Sequence, residues 1–119
     1  MKIENAATVF RVASLPDSLQ WYTQVLGFQK TFEFPQYAGV MRDSCFIHLS
    51  QRPEGDVSGN SQIYIICDEV DEYCKEIARK GAKIGWQPRD QPYLLRDFMT
   101  SDPSGNALYF GRFLGEDND

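Results

Sequence analysis

Ser14-Leu-Pro-Asp-Ser-Leu-Gln-Trp-Tyr-Thr-Gln-Val-Leu-Gly27 and Asp68-Glu-Val-Asp-Glu-Tyr-Cys-Lys-Glu-Ile-Ala-Arg-Lys-Gly81 are the two stretches that decide the fold. Each runs from a capping residue to a glycine over the same number of positions. In the first, Leu15, Leu19, Tyr22 and Leu26 recur at helical spacing and make one apolar stripe. Ser14 is the expected N-cap, Pro16 sits in the first turn where its missing N–H costs nothing, and Gly27 suits a left-handed C-cap. In the second, Asp68 is the expected cap and Val70, Tyr73, Ile77 and Ala78 the buried stripe. Its first turn is acidic (Glu69, Asp71, Glu72) and its last basic (Arg79, Lys80), as the helix dipole favours, and Gly81 ends it.

Outward from each helix the same order of strands appears. Residues 6–12 precede the first helix as a β-branched, aromatic run, and residues 28–34, 38–42 and 45–50 follow it, parted by Pro35-Gln36 and Asp43-Ser44. Residues 62–67 precede the second helix, and residues 83–87, 98–101 and 106–113 follow it. Asp102-Pro-Ser-Gly105 has the residue order of a tight turn into the last strand. The polar stretch from Arg52 to Asn60, rich in Pro and Gly, reads as a linker. The expectation is an α+β fold of two βαβββ modules in a single domain. Module one covers 5–51, a linker 52–60, module two 61–113 and an acidic tail 114–119. Two copies of so long a unit suit a duplicated supersecondary element better than a solenoid array.

The 119 residues suffice for one domain with a real core, and 42% hydrophobic with 24% charged residues is an ordinary globular balance. The longest apolar run, Ile63 to Cys67, is far too short to span a bilayer, and the opening residues lack the apolar stretch of a secretory signal. A cytoplasmic location is expected. Cys45, Cys67 and Cys74 form no Cys-x-x-Cys pair and read as reduced, mostly buried thiols. A net charge of −5 and the lack of a basic stripe argue against nucleic acid. Glu116, Asp117 and Asp119 carry three of the negative charges, so the body is only mildly acidic and charge alone selects no ligand.

The helix-one stretch, closing on an aromatic pair and Leu26-Gly27-Phe28, resembles the opening of the vicinal-oxygen-chelate superfamily, which includes glyoxalases, bleomycin-resistance proteins and dioxygenases. Asp102-Pro-Ser-Gly-Asn106 before an apolar strand resembles its closing hairpin, and with the repeat the resemblance covers essentially the whole chain. It implies that each module curls its strands into a U and that two modules make a cleft, commonly across a homodimer. It also implies that the four metal-ligand positions of the family's enzymes fall at Ala7, His48, Gln62 and Tyr109. One imidazole and one amide make a poor donor set for zinc, nickel or iron, so neither metal nor other cofactor is expected. Glutamate, which family enzymes commonly carry at the last position, is replaced by Tyr109, which removes the expected proton-transfer base.

Strand alternation predicts the lining of the cleft. Val9 and Arg11 share the face of Ala7, Phe46 and Ser50 that of His48, Tyr64 and Ile66 that of Gln62, and Ala107 and Gly111 that of Tyr109. The opposite faces, with Phe10, Val12, Ile47, Leu49, Ile63, Ile65, Leu108 and Phe110, are expected to pack on the helices. The expected ligand-binding residues are therefore Arg11, Phe46, His48, Gln62, Tyr64 and Tyr109, lining a small-molecule pocket. The resemblance, nearest the metal-free bleomycin-resistance branch, implies a drug-like or peptide-like ligand that is bound rather than transformed. The sequence also fits an alternative. The same aromatics would fill the cleft as core, with His48 hydrogen-bonded to Gln62 or Tyr109. The reading from another class is an enzyme of the lyase or dioxygenase type, with His48 as general acid/base and Arg11 or Tyr109 stabilising an anion. Trp21 lies off the helical stripe, and Trp86 is placed at the cleft rim or in packing.

Overall fold

The computed structural model describes residues 1–52 and 61–115; the linker and acidic tail read from the sequence lie largely outside the described residues. Module one runs β1 (Thr8–Val12), α1 (Leu15–Gln20), a π-helical turn (Trp21–Val25), β2 (Gln29–Phe34), β3 (Tyr37–Arg42) and β4 (Cys45–Gln51). Module two runs β5 (Gln62–Ile66), α2 (Val70–Arg79), β6 (Lys83–Asp90), β7 (Leu95–Ser101) and β8 (Ala107–Phe113). Each module makes its own four-stranded sheet, ordered β1-β4-β3-β2 and β5-β8-β7-β6. The first strand pairs parallel with the last in both, and the remaining pairings are antiparallel. This is the predicted α+β architecture of two βαβββ units.

The expected alternation decides which face is covered. Phe10, Val12, Ile47 and Leu49 are buried with Leu15 and Leu19 of α1, Tyr22 of the π-helical turn and Leu26 at its end. In module two Phe98, Leu108 and Phe110 pack with Val70, Cys74 and Ile77 of α2. Cys74 thus takes the stripe position expected of Ala78, which is exposed. Ser14 caps helix one through Asp17 N (3.3 Å), and Gly27 and Gly81 adopt positive φ of 78° and 102° at the helix ends. Asp68 does not cap α2 as expected. Its carboxylate accepts from the adjacent Glu69 N–H (2.7 Å), and Glu69 occupies the cap position without a side-chain bond.

Two strands are longer than their sequence pattern suggested. β6 continues to Asp90 and β7 begins at Leu95, because the charged residues there are paired across the hairpin and onto α2. Arg96 donates to both carboxylate oxygens of Asp71 (2.9 and 3.1 Å) and to Asp90 (3.0 Å).

Side-chain hydrogen bonds join the modules. The buried Asp102 carboxylate accepts from Ser104 N, Asn106 N and Asn106 Nδ2, which shapes the tight turn, and its Oδ2 accepts from Tyr22 OH of helix one (2.9 Å). Asn106 Nδ2 also donates to Arg11 O (2.9 Å) and Ala13 N donates to Ser104 Oγ (2.9 Å). On the other flank Tyr73 OH of α2 donates to Leu26 O (2.6 Å), with the Arg42 guanidinium 5.1 Å from the Tyr73 ring. Both helices therefore lie on one side and both sheets leave their other face open. The molecule is a slab of 50 × 40 × 22 Å, with a radius of gyration of 15.0 Å against about 13.5 Å for a closed domain of this length.

Candidate ligand-binding site

The open face of module two is an aromatic wall. Tyr64 of β5 and Tyr109 of β8 are register partners, and their rings lie parallel with centroids 5.9 Å apart and planes at 8°. Register shifts in β6 on both sides of Trp86 re-aim that side chain, and its ring comes 5.6 Å from Tyr109. Gly111 is required here: a Cβ would stand 2.3 Å from Tyr64 Oη, so only glycine lets the ring lie across the strand. These side chains, with Gln62, Ile63, Tyr93 and Leu95, line a cavity of about 550 Å³, within the range of small-molecule sites.

Asp97 of β7 lies beneath the wall and is 0% exposed. Its Oδ2 accepts from Tyr64 OH (2.7 Å) and Tyr93 OH (2.7 Å), its Oδ1 from Gln91 Nε2 (2.9 Å) and Trp86 Nε1 (3.3 Å). Burial alone would raise the carboxyl pKa, but the four donors outweigh it and hold Asp97 below the usual carboxylate range. Burial and the bond to Asp97 push Tyr64 well above the usual phenol value, and the bond to Asp97 first, then burial, raises Tyr93. With their hydroxyls tied to the carboxylate, Tyr64 and Tyr93 are held by their polar ends. Tyr109 is held separately, its hydroxyl donating to Gln62 Oε1 (3.2 Å).

Module one carries a different arrangement. Phe32 of β2 lies over Gly39, where a Cβ would run into its ring, and it stands perpendicular to the His48 ring with centroids 5.2 Å apart. Tyr37 OH is 2.9 Å from His48 Nδ1, so the imidazole is boxed by two aromatic residues of its own module. The alternative partners expected for His48, Gln62 and Tyr109, bond to each other instead. Arg11 points from the open face of β1 and is exposed.

Phe46 lines a separate cavity of about 810 Å³ where the modules meet, with Ala7, Arg42, Tyr64, Tyr73 and acidic side chains of α2. Cys45 and Cys67 also border it, their thiols pushed up to about 11, by burial at Cys45 and chiefly by burial at Cys67.

Within one chain the six expected site residues therefore form two groups. Gln62, Tyr64 and Tyr109 share the module-two cavity, whereas Arg11, Phe46 and His48 belong to module one; Phe46 meets Tyr64 only at the larger cavity, and Arg11 and His48 line neither. The reading of Tyr64 as buried core does not hold, since it is 39% exposed and borders both cavities. Trp86 proves to be cavity wall, and Trp21 is half-buried with its edge against Tyr22 (4.9 Å). Sequence reasoning missed Asp97, Gln91, Tyr93, Phe32 and Tyr37. The available signal was the facing of Asp97 and Gly111 once β7 is started at Leu95. The family's metal does not fit these positions. Ala7 has no donor, Gln62 Oε1 accepts from Tyr109, and His48 Nδ1 is engaged by Tyr37. Among the described residues no three of His, Cys, Asp and Glu form a group that could hold a metal.

The family model for the Glyoxalase/Bleomycin resistance protein/Dioxygenase superfamily matches residues 6–110. The chain belongs to that superfamily. Its structure is similar to the bleomycin-binding protein of bleomycin-producing Streptomyces verticillus, solved with copper(II)-bleomycin: TM-score 0.79, 26% identity, covering 98% of this chain and 99% of that one. It is similar in fold to TioX of Micromonospora sp. ML1 (TM-score 0.81, 19% identity, 93% and 99% covered). The same holds for TnmS3, an antibiotic binding protein of Streptomyces sp. CB03234 (TM-score 0.81, 18% identity, 94% and 97% covered). No curated protein sequence matches the chain. Among the described residues no helix is long and apolar enough to cross a membrane.

Proposed function

We propose that this protein is a metal-free binder of a planar, drug-like or peptide-like small molecule, acting as a cytoplasmic homodimer. The observation that carries the reading is the cavity walled by Tyr64, Trp86 and Tyr109, open to solvent and fixed from beneath by Asp97. Ring faces held in place before a ligand arrives reduce the ordering cost of binding. The 26% identity to a bleomycin-binding protein across nearly both whole chains supports the same reading.

The open faces support a second copy. Val9, Phe34, Ile66 and Phe113 are 49%, 63%, 52% and 58% exposed on a slab with one uncovered side, and apolar surface of this kind marks an association site. Pairing module one of one protomer with module two of its partner would bring Arg11 and His48 opposite Gln62, Tyr64 and Tyr109, with Phe46 at the module junction. His48 and Arg11 would then orient polar groups of a ligand stacked on the tyrosines.

Calorimetry with copper(II)-bleomycin and a panel of planar aromatic ligands tests the proposal. Stacking contributes about 0.5–1.5 kcal/mol beyond area burial, so Tyr64→Ala and Tyr109→Ala should each weaken binding about tenfold. His48→Ala should cost less. If both tyrosine variants are folded and bind as tightly as the parent, the wall is not the binding surface.

A further inference from the structure

Asp97 is an unusual buried charge. All its acceptor positions are filled by neutral donors, and the ion pairs among the described residues do not include it. Buried carboxylates are ordinarily balanced by a cation. Here the negative charge is retained and spread upward through phenol and indole groups that form the wall above it. A phenol donating to a carboxylate is electron-rich, and an electron-rich ring face attracts a cation. The wall already holds one. The Arg89 guanidinium lies 5.0 Å from the Trp86 ring, close enough for a cation–π contact, although it makes no ion pair with Asp97.

We infer that the module-two cavity is a cation seat, in which Tyr64, Trp86 and Tyr109 contact an organic monocation (an ammonium, methylated ammonium or guanidinium group of the ligand) and Asp97 supplies the balancing charge from beneath. This deepens the binding reading and rests on it. Asp97 is a positioning residue: it is fully covered, and it acts by orienting Tyr64, Tyr93 and Trp86 and by placing charge behind them. Cavity size agrees with the class, since about 550 Å³ accommodates a cationic head with an attached planar group.

The test compares choline with the uncharged alcohol in which carbon replaces its quaternary nitrogen, titrated against the full chain and followed by the indole resonance of Trp86. The two probes share shape and differ in charge. Choline is expected to bind at least tenfold more tightly, about 1.4 kcal/mol. Asp97→Asn should erase that ratio, while copper(II)-bleomycin or another stacking ligand measured alongside still binds detectably. Equal affinities for the two probes in the parent, with a stacking ligand still bound, overturn the cation seat and leave the binding reading standing. No binding of any probe or stacking ligand overturns both. Because Asp97→Asn removes one partner of a buried network, Arg89→Gln at the exposed strand end gives a second arm. Freeing the Trp86 face should raise choline affinity about threefold, and an unchanged or lower affinity counts against the seat.

Discussion

Tyr22→Phe removes one oxygen from the centre of the molecule, and the structure fixes what that should cost. Tyr22 is 0% exposed and Asp102 4%, so neither has water to turn to when their 2.9 Å bond is lost. A hydrogen bond to a charged group contributes about 1.5–3 kcal/mol. Asp102 keeps its backbone donors from Ser104 and Asn106 and the Asn106 amide. The carboxylate is therefore not orphaned, and a loss of about 2 kcal/mol is expected. With an unfolding entropy near 2.1 cal/mol/K per residue, a chain of this length loses about 4 °C for each kcal/mol, so Tm should fall by about 8 °C. Urea unfolding at neutral pH should give the same loss with an unchanged slope. The sign of the pH dependence is set by Tyr22, whose pKa is raised well above 10.0 by burial first and then by the Asp102 charge. A raised folded value means the contribution is complete below pH 10.0 and is lost as pH rises through the folded value. The gap between parent and variant should therefore narrow in alkali. A Tm shift under about 2 °C, or a gap that widens above pH 10.0, would refute the view that this bond locks the modules.

Gly111→Ala should drive the Tyr64 ring off its strand, costing about 1–3 kcal/mol in a urea melt and weakening any stacked ligand. Asp97 has a lowered pKa, so its contribution is present above the usual carboxylate value of about 3.9 and is lost as pH falls through its folded value; Asp97→Asn should flatten the acid limb of the melt. Light scattering at micromolar concentration should give a dimeric mass for the parent and a monomeric one for Val9→Asp combined with Ile66→Asp. Both side chains are exposed in the single chain, so their replacement leaves its core intact.

The fold was legible because its signals were local. Ser14, Gly27 and Gly81 act as read, and the period-two alternation of Phe10, Val12, Ile47, Leu49, Leu108 and Phe110 put the core on the correct face. The cap at Asp68 was misread because a carboxylate can bond its own neighbour's N–H as readily as one further along. The site was only half legible. Tyr64, Tyr109 and Gln62 follow from face assignment, but Asp97 sits in a charged stretch that hides the start of β7. What makes Asp97 central is a set of partners from β5, β6 and the hairpin that no local pattern brings together. Likewise His48 was legible as a face residue, while its bond to Tyr37 depends on the register of β3 against β4.

The strand order bears on how the chain reaches this state. The parallel pairs join Thr8 to Ile47 in one sheet and Gln62 to Ala107 in the other, and no strand crosses between them. Each sheet closes a loop within its own half, so the entropy of closure is met separately for each half. Module one emerges first from synthesis with every partner of its sheet already made. The Asp102–Asn106 turn of module two then reaches back to Tyr22 and Arg11. The connectivity thus confines each closure to its own half, and the halves meet through the side-chain bonds of Tyr22, Tyr73 and Asn106.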